Sequence, residues 1–147
     1  MTHANPLRGR RKVGGIGIPL PSTEARMVDL ASGKALQTGQ INELAVRGPK
    51  IMHGYWNDEV ATEAVITKDG WLLTGDVARQ DDEGYFQIVS RKQDMWYPDK
   101  PEEPAFPRDV EEVLFEIPQV REAAVVAIAN QPVAFVVAGR NRPTTDA

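Results

Sequence analysis

The sequence contains no cysteine, which excludes disulfides, thiolate metal sites and a cysteine nucleophile. Its two histidines, His3 and His53, lie too far apart to share a metal-ligand spacing, so no zinc site is expected. Long apolar runs are also missing. The longest, Ala123 to Ala129, is too short to span a bilayer. No apolar signal core follows the first residues, and a soluble, cytoplasmic protein is the default expectation. An excess of basic residues is absent too: the net charge is −4, which argues against a nucleic-acid partner held through phosphates.

What is present suits one ordinary domain or two small pieces. Of 147 residues, 41% are hydrophobic and 26% charged, so a core can form. Twelve glycines and eleven prolines favour a turn-rich, strand-rich architecture in the first two thirds. Residues 1–12 are polar and basic and read as an irregular lead-in, with Arg8 to Lys12 a solvated tail. Gly14-Gly15-Ile16-Gly17 lacks the Gly-Lys-Ser/Thr ending of a phosphate loop, and a tight turn entering a sheet suits it better. Glu24 to Leu30 and Glu43 to Arg47 alternate as strands, separated by a turn at Ser32-Gly33-Lys34. Ile51 to Trp56 suggests an edge strand, in which His53 is a half-buried structural residue rather than a catalyst. Asn57-Asp58 can cap a short helix through Val65.

The stretch Asp69 to Asp94 organises the rest. Trp71-Leu72-Leu73 reads as a buried strand, and Trp71 as a core residue more than a stacking platform for a base. Val77 to Gln80 and Tyr85 to Val89 form a hairpin around Asp81-Asp82-Glu83-Gly84, where glycine can take φ > 0. If Gln80 pairs with Tyr85, Asp76 falls opposite Val89, and Arg91 lies two residues beyond at the same rim. A carboxylate can accept two hydrogen bonds from a ribose diol, and a guanidinium offers a rigid fork of donors. Gly75 lets a ligand approach the backbone. The residues equally allow a surface Asp76–Arg91 pair of small energetic weight.

Composition shifts after the hairpin. Residues 97–107 carry four prolines and read as a linker-like loop. Pro107 can open a helix whose apolar positions Val110, Val113, Leu114 and Ile117 share one face over about three turns. Pro118 ends it. Two strands, Glu122 to Ala129 and Val133 to Ala138, follow across Asn130-Gln131, with a frayed tail from Gly139. A β-rich piece therefore precedes an α+β piece too small for a complete stable domain.

Several segments resemble the adenylate-forming superfamily of acyl-CoA synthetases, most closely the long-chain fatty-acid–CoA ligases. They are Gly14 to Asp29, Asn42 to Pro49, Met52 to Trp56, Trp71 to Asp76, Asp82 to Met95, Pro107 to Leu114 and Ala123 to Ile128. The resemblance implies an α+β fold: a distorted, barrel-like β-rich end of the large domain over 13–90, a hinge over 91–96 and a partial C-terminal domain over 97–147. It implies two half-reactions. ATP and an acid give an acyl-adenylate and diphosphate, and the thiol of coenzyme A then displaces AMP. It assigns Asp76 and Arg91 to the ribose and Gln93 to the pivot, where Lys or Asp is usual. Magnesium is expected, held by an acidic residue upstream of this chain. Fatty acid, ATP and coenzyme A are the implied partners, with peripheral membrane association of the full enzyme and an open oligomeric state.

Departures from the family pattern shape the remaining expectations. A proline-rich stretch, Trp96 to Phe106, replaces the glycine-rich loop after the hinge, and no lysine follows Lys100 where the family carries a catalytic one. The phosphate-gripping loop and the acid pocket are not in this sequence. The chain thus resembles a cut-out of a synthetase with no catalytic residue of its own, expected to be inactive alone. A degenerate binding module, an aryl-acid ligase and a peptide-synthetase adenylation domain are the alternatives.

Overall fold

The computed structural model describes residues 1–30, 41–98 and 104–139. The turn expected at Ser32-Gly33-Lys34 and most of the tail from Gly139 lie outside them. The chain forms two compact units, Met1–Lys92 and Gln93–Ala147.

The first unit is built on four antiparallel strands, β3 (Glu24–Val28), β4 (Asn42–Arg47), β5 (Leu72–Gln80) and β6 (Phe86–Arg91), in that spatial order. Two short strands, β1 (His3–Ala4) and β2 (Ile18–Pro19), pair separately. The four-stranded sheet is open, and no closed barrel forms among the described residues, in contrast to the barrel-like expectation. The α+β class stands, with helix α1 (Glu59–Val65) joining β4 to β5. β4 is central, so Glu43, Leu44, Ala45 and Val46 are all buried and its apparent alternation does not sort an inside from an outside. Met27, Leu44, Val46, Ala78 and Phe86 pack as one core cluster, and Val28, Ala45 and Trp71 as another.

Ile51 to Trp56 makes no strand. Asn57 turns the chain at φ 51°, and the Tyr55 amide donates to Thr62 Oγ1 at 2.8 Å. Those bonds belong to the entry of α1, whose N-cap is Asp58: its Oδ1 accepts from the Ala61 amide at 2.9 Å. β5 runs from Leu72 to Gln80, joining the two strand pieces expected on either side of Gly75.

The lead-in is tied down rather than frayed. β1 pairs with β2, Lys12 forms ion pairs with Asp81 and Glu83, and Arg10 reaches Glu83 at 2.9 Å. Gly17 (φ 91°) sits where a Cβ would lie 2.1 Å from the Ala4 carbonyl, so only glycine permits this close approach. His3 is buried with its ring edge-on to Phe86 at 5.0 Å, and its Nε2 has no hydrogen-bond partner among the described residues. Burial lowers its pKa from the ordinary 6.5. The unfolded chain therefore takes up the proton first, and stability that is full above the ordinary histidine range falls as pH drops through it. The expected result is a lower urea midpoint at about pH 5.5 than at about pH 7.5, with the difference reduced in a His3→Phe variant.

In the second unit, α2 (Pro107–Phe115) opens with proline in its first turn. It packs on β7 (Val120–Ile128), which forms a hairpin with β8 (Gln131–Ala138). The hairpin turn is Ala129-Asn130, both left-handed at φ 50° and 60°. Asn130 also clamps Tyr97, accepting from its amide at 2.9 Å and donating to its carbonyl at 2.8 Å. Trp96 and Phe106 are buried, and Trp96 bridges to Ala105 through two backbone hydrogen bonds. The proline-rich segment is thus structured at its two ends, while residues 99–103 lie outside the description.

Candidate functional site: the Asp76–Arg91 rim

The rim is made by two irregularities in the ladder. Between β4 and β5 the register passes from Glu43↔Val77 to Ala45↔Leu73, so Thr74, Gly75 and Asp76 stand opposite Leu44 alone. Gly75 takes φ 71°, which an L side chain would strain, and a Cβ there would meet open space. The constraint at this position is therefore the backbone, and the space beside it is free.

Between β5 and β6 the register passes from Val77↔Ser90 to Ala78↔Ile88, leaving Val89 as an extra residue. This corrects the register read from the sequence. The loop closes at Asp81–Tyr85, because the Asp81 carboxylate accepts from the amides of Glu83 and Tyr85, each at 3.0 Å. The ladder then starts at Gln80↔Phe86, and the Val89 bulge brings Asp76 directly opposite Arg91.

Arg91 Nε lies 2.9 Å from Asp76 Oδ1, with the Asp76 side chain 25% exposed and that of Arg91 59% exposed. Neither group is sealed, so both retain capacity for a further partner. Gln93 is exposed, in a single 3-10 turn, Lys92–Asp94, that follows β6.

The sequence did not single out Glu43, the buried carboxylate beneath the bulge. Its side chain is 4% exposed. Oε1 accepts from the Gly75 amide at 3.0 Å and Oε2 from Lys92 Nζ at 2.8 Å. Thr74 completes the support: its Oγ1 donates to the Leu44 carbonyl at 2.8 Å and accepts from the Asp76 amide at 3.1 Å. An acidic residue beside the apolar run Leu44-Ala45-Val46 was the available signal, but alternation disguised it as a solvent-facing position.

Other candidates fall outside this rim. Trp71 is 5% exposed, with the Arg26 and Arg47 guanidinium carbons 4.0 and 4.7 Å from its ring centroid. Its ring is occupied by these cations in the core. His53 is exposed rather than half-buried, on a shallow depression with Tyr55, Trp56 and Asp58. Among the described residues, no group of three or more His, Asp or Glu side chains is arranged to hold a metal ion. No described helix is long and apolar enough to cross a membrane.

The chain belongs to the adenylate-forming, AMP-binding enzymes, and residues 1–56 match the family described as AMP-binding enzyme. It is 40% identical to a long-chain-fatty-acid–CoA ligase of Bacillus subtilis over 128 residues, 87% of this chain and 22% of that protein. Among solved structures, ATP-bound MatB from Rhodopseudomonas palustris matches with a TM-score of 0.84 at 32% identity, covering 100% of this chain and 29% of that one. The O-succinylbenzoate coenzyme A synthetase of Bacillus subtilis in complex with AMP matches with a TM-score of 0.73 at 32% identity, over 90% and 27% of the two chains. The chain thus spans about a fifth of the length of the curated ligase.

Proposed function

We propose that this chain supplies the ribose-binding rim and the hinge of an ATP-dependent acid–CoA ligase. One observation carries the reading: Asp76 and Arg91 meet at 2.9 Å beside a left-handed glycine with open space next to it. In this reading Asp76 accepts hydrogen bonds from the two ribose hydroxyls of ATP and of the acyl-adenylate, and Arg91 donates from the adjoining strand. Gln93 is the pivot, one of the few residues that would absorb a large φ/ψ change between half-reactions. The domain limits follow: the end of the large domain over 13–90, the hinge over 91–96 and the start of the C-terminal domain over 97–147.

The acid is a long-chain fatty acid in the reading supported by the B. subtilis ligase. A second reading, an aryl acid, is supported by the O-succinylbenzoate enzyme. The carboxylate attacks the α-phosphorus of ATP with loss of diphosphate, and the thiol of coenzyme A then displaces AMP. Magnesium would assist the first step. In this proposal its acidic ligand comes from another part of the full-length protein. A cytoplasmic enzyme with peripheral attachment to a membrane that holds its acid fits the proposal.

The test compares the full-length protein with these 147 residues. With ATP, magnesium, coenzyme A and a panel of fatty and aryl acids, the full-length protein should form acyl-CoA and the isolated chain none. Acyl-CoA from the isolated chain would overturn the division of labour. A full-length protein that turns over no acid would favour the binding-module alternative.

A further inference from the structure

We infer that Glu43 is a positioning residue that holds the ribose rim and the residue just before the pivot in one arrangement. This deepens the proposed function and rests on it. Glu43 is buried at the centre of the sheet, and its two oxygens divide between two segments far apart in sequence. One takes the amide of Gly75, which fixes the bulge that presents Asp76. The other takes the ammonium of Lys92, the neighbour of both Arg91 and Gln93.

A carboxylate buried this far is costly unless both oxygens are satisfied. Here the bulge satisfies one and the strand end satisfies the other. Withdrawal of Lys92 leaves a buried negative charge directly under the Gly75 amide, and a shift of the bulge strips Glu43 of its backbone donor. The two segments therefore hold each other in place through one side chain. Asp76 and Arg91 are the exposed products of that arrangement, each one residue from a Glu43 partner. Because Lys92 is partly exposed, it is the member that can let go when the chain beyond it turns.

The experiment uses the full-length ligase and five variants, with melting temperature and steady-state kinetics measured on each. Glu43→Gln keeps an acceptor for the Gly75 amide and loses the negative charge that pairs with Lys92. It should raise the KM for ATP about tenfold, the size expected for one charged hydrogen bond, while the KM for the acid stays within about twofold. Lys92→Met, on the more exposed side, should raise it by about threefold, and Lys92→Arg should restore it. The double variant should resemble Glu43→Gln alone, because both changes remove one interaction. A residue that only supports the fold would lower the melting temperature and leave the ATP KM of the folded enzyme unchanged. That result in both Glu43→Gln and Lys92→Met overturns the inference. If Glu43→Gln does not fold, the ATP KM of Lys92→Met decides alone. Asp76→Ala measured alongside separates the two levels: an unchanged ATP KM there overturns the reading of the rim and the positioning role with it.

Discussion

Asp76→Ala in the full-length protein should raise the KM for ATP by about ten- to hundredfold, the equivalent of roughly 1.5–3 kcal/mol for a charged hydrogen-bonding partner. The fold should scarcely notice. Among the described residues Asp76 forms its ion pair with Arg91, whose side chain is 59% exposed, and such pairs contribute about 0–1 kcal/mol to stability. Its backbone amide, held by Thr74 Oγ1, does not depend on the carboxylate. A large kinetic effect with little change in melting temperature is therefore the expected signature. Asp76→Asn, which keeps one acceptor oxygen and loses the charge, should fall between. An ATP KM and turnover equal to those of the parent would remove the ribose assignment.

The largest expected effect on stability is at Phe86. Its side chain is among the largest of the fully buried ones, packed with Met27, Leu44, Val46 and Ala78. Its backbone donates to the Gly17 carbonyl and accepts from the Ile16 amide, each at 2.8 Å, so it also fastens the glycine turn to the sheet. Phe86→Ala should cost about 3–5 kcal/mol through lost burial and the cavity left behind. That is a large share of the roughly 5–15 kcal/mol that holds a typical domain. In urea unfolding of this chain, the transition of the Met1–Lys92 unit should move to much lower denaturant. Phe135→Ala provides the contrast: Phe135 is 60% exposed on β8, and its loss should change stability by within about 0.5 kcal/mol. Equal costs at the two positions would contradict the placement of the core.

The two differ in how far the sequence announced them. The Asp81–Gly84 loop, the proline-opened α2 and the Asp58 cap were legible because each depends on a few neighbouring residues and their backbone preferences. Asp76 and Arg91 were legible as rim candidates for the same reason, since any tight hairpin over Asp81–Gly84 brings its open end together. Their register was not. The three-for-one bulge at Thr74–Asp76 arises from pairing with β4, distant in sequence, and Val89 is an extra residue within the hairpin itself. A period-two pattern carries no mark of a slip.

Glu43 shows the limit most clearly. In Asn42-Glu43-Leu44-Ala45-Val46-Arg47 an acidic residue beside a leucine reads as the wet face of a strand. In the folded chain β4 has a neighbour on each side, and the carboxylate lies beneath a bulge with a backbone amide and an ammonium for company. By itself the sequence determined the class of fold, the turns, the helix starts and the two charges at the hairpin's mouth, all of them consequences of local backbone chemistry. Only tertiary structure decided which strand would be central, how the ladders slip, and hence which buried acid stands beneath the rim, because burial and register depend on partners that lie tens of residues away.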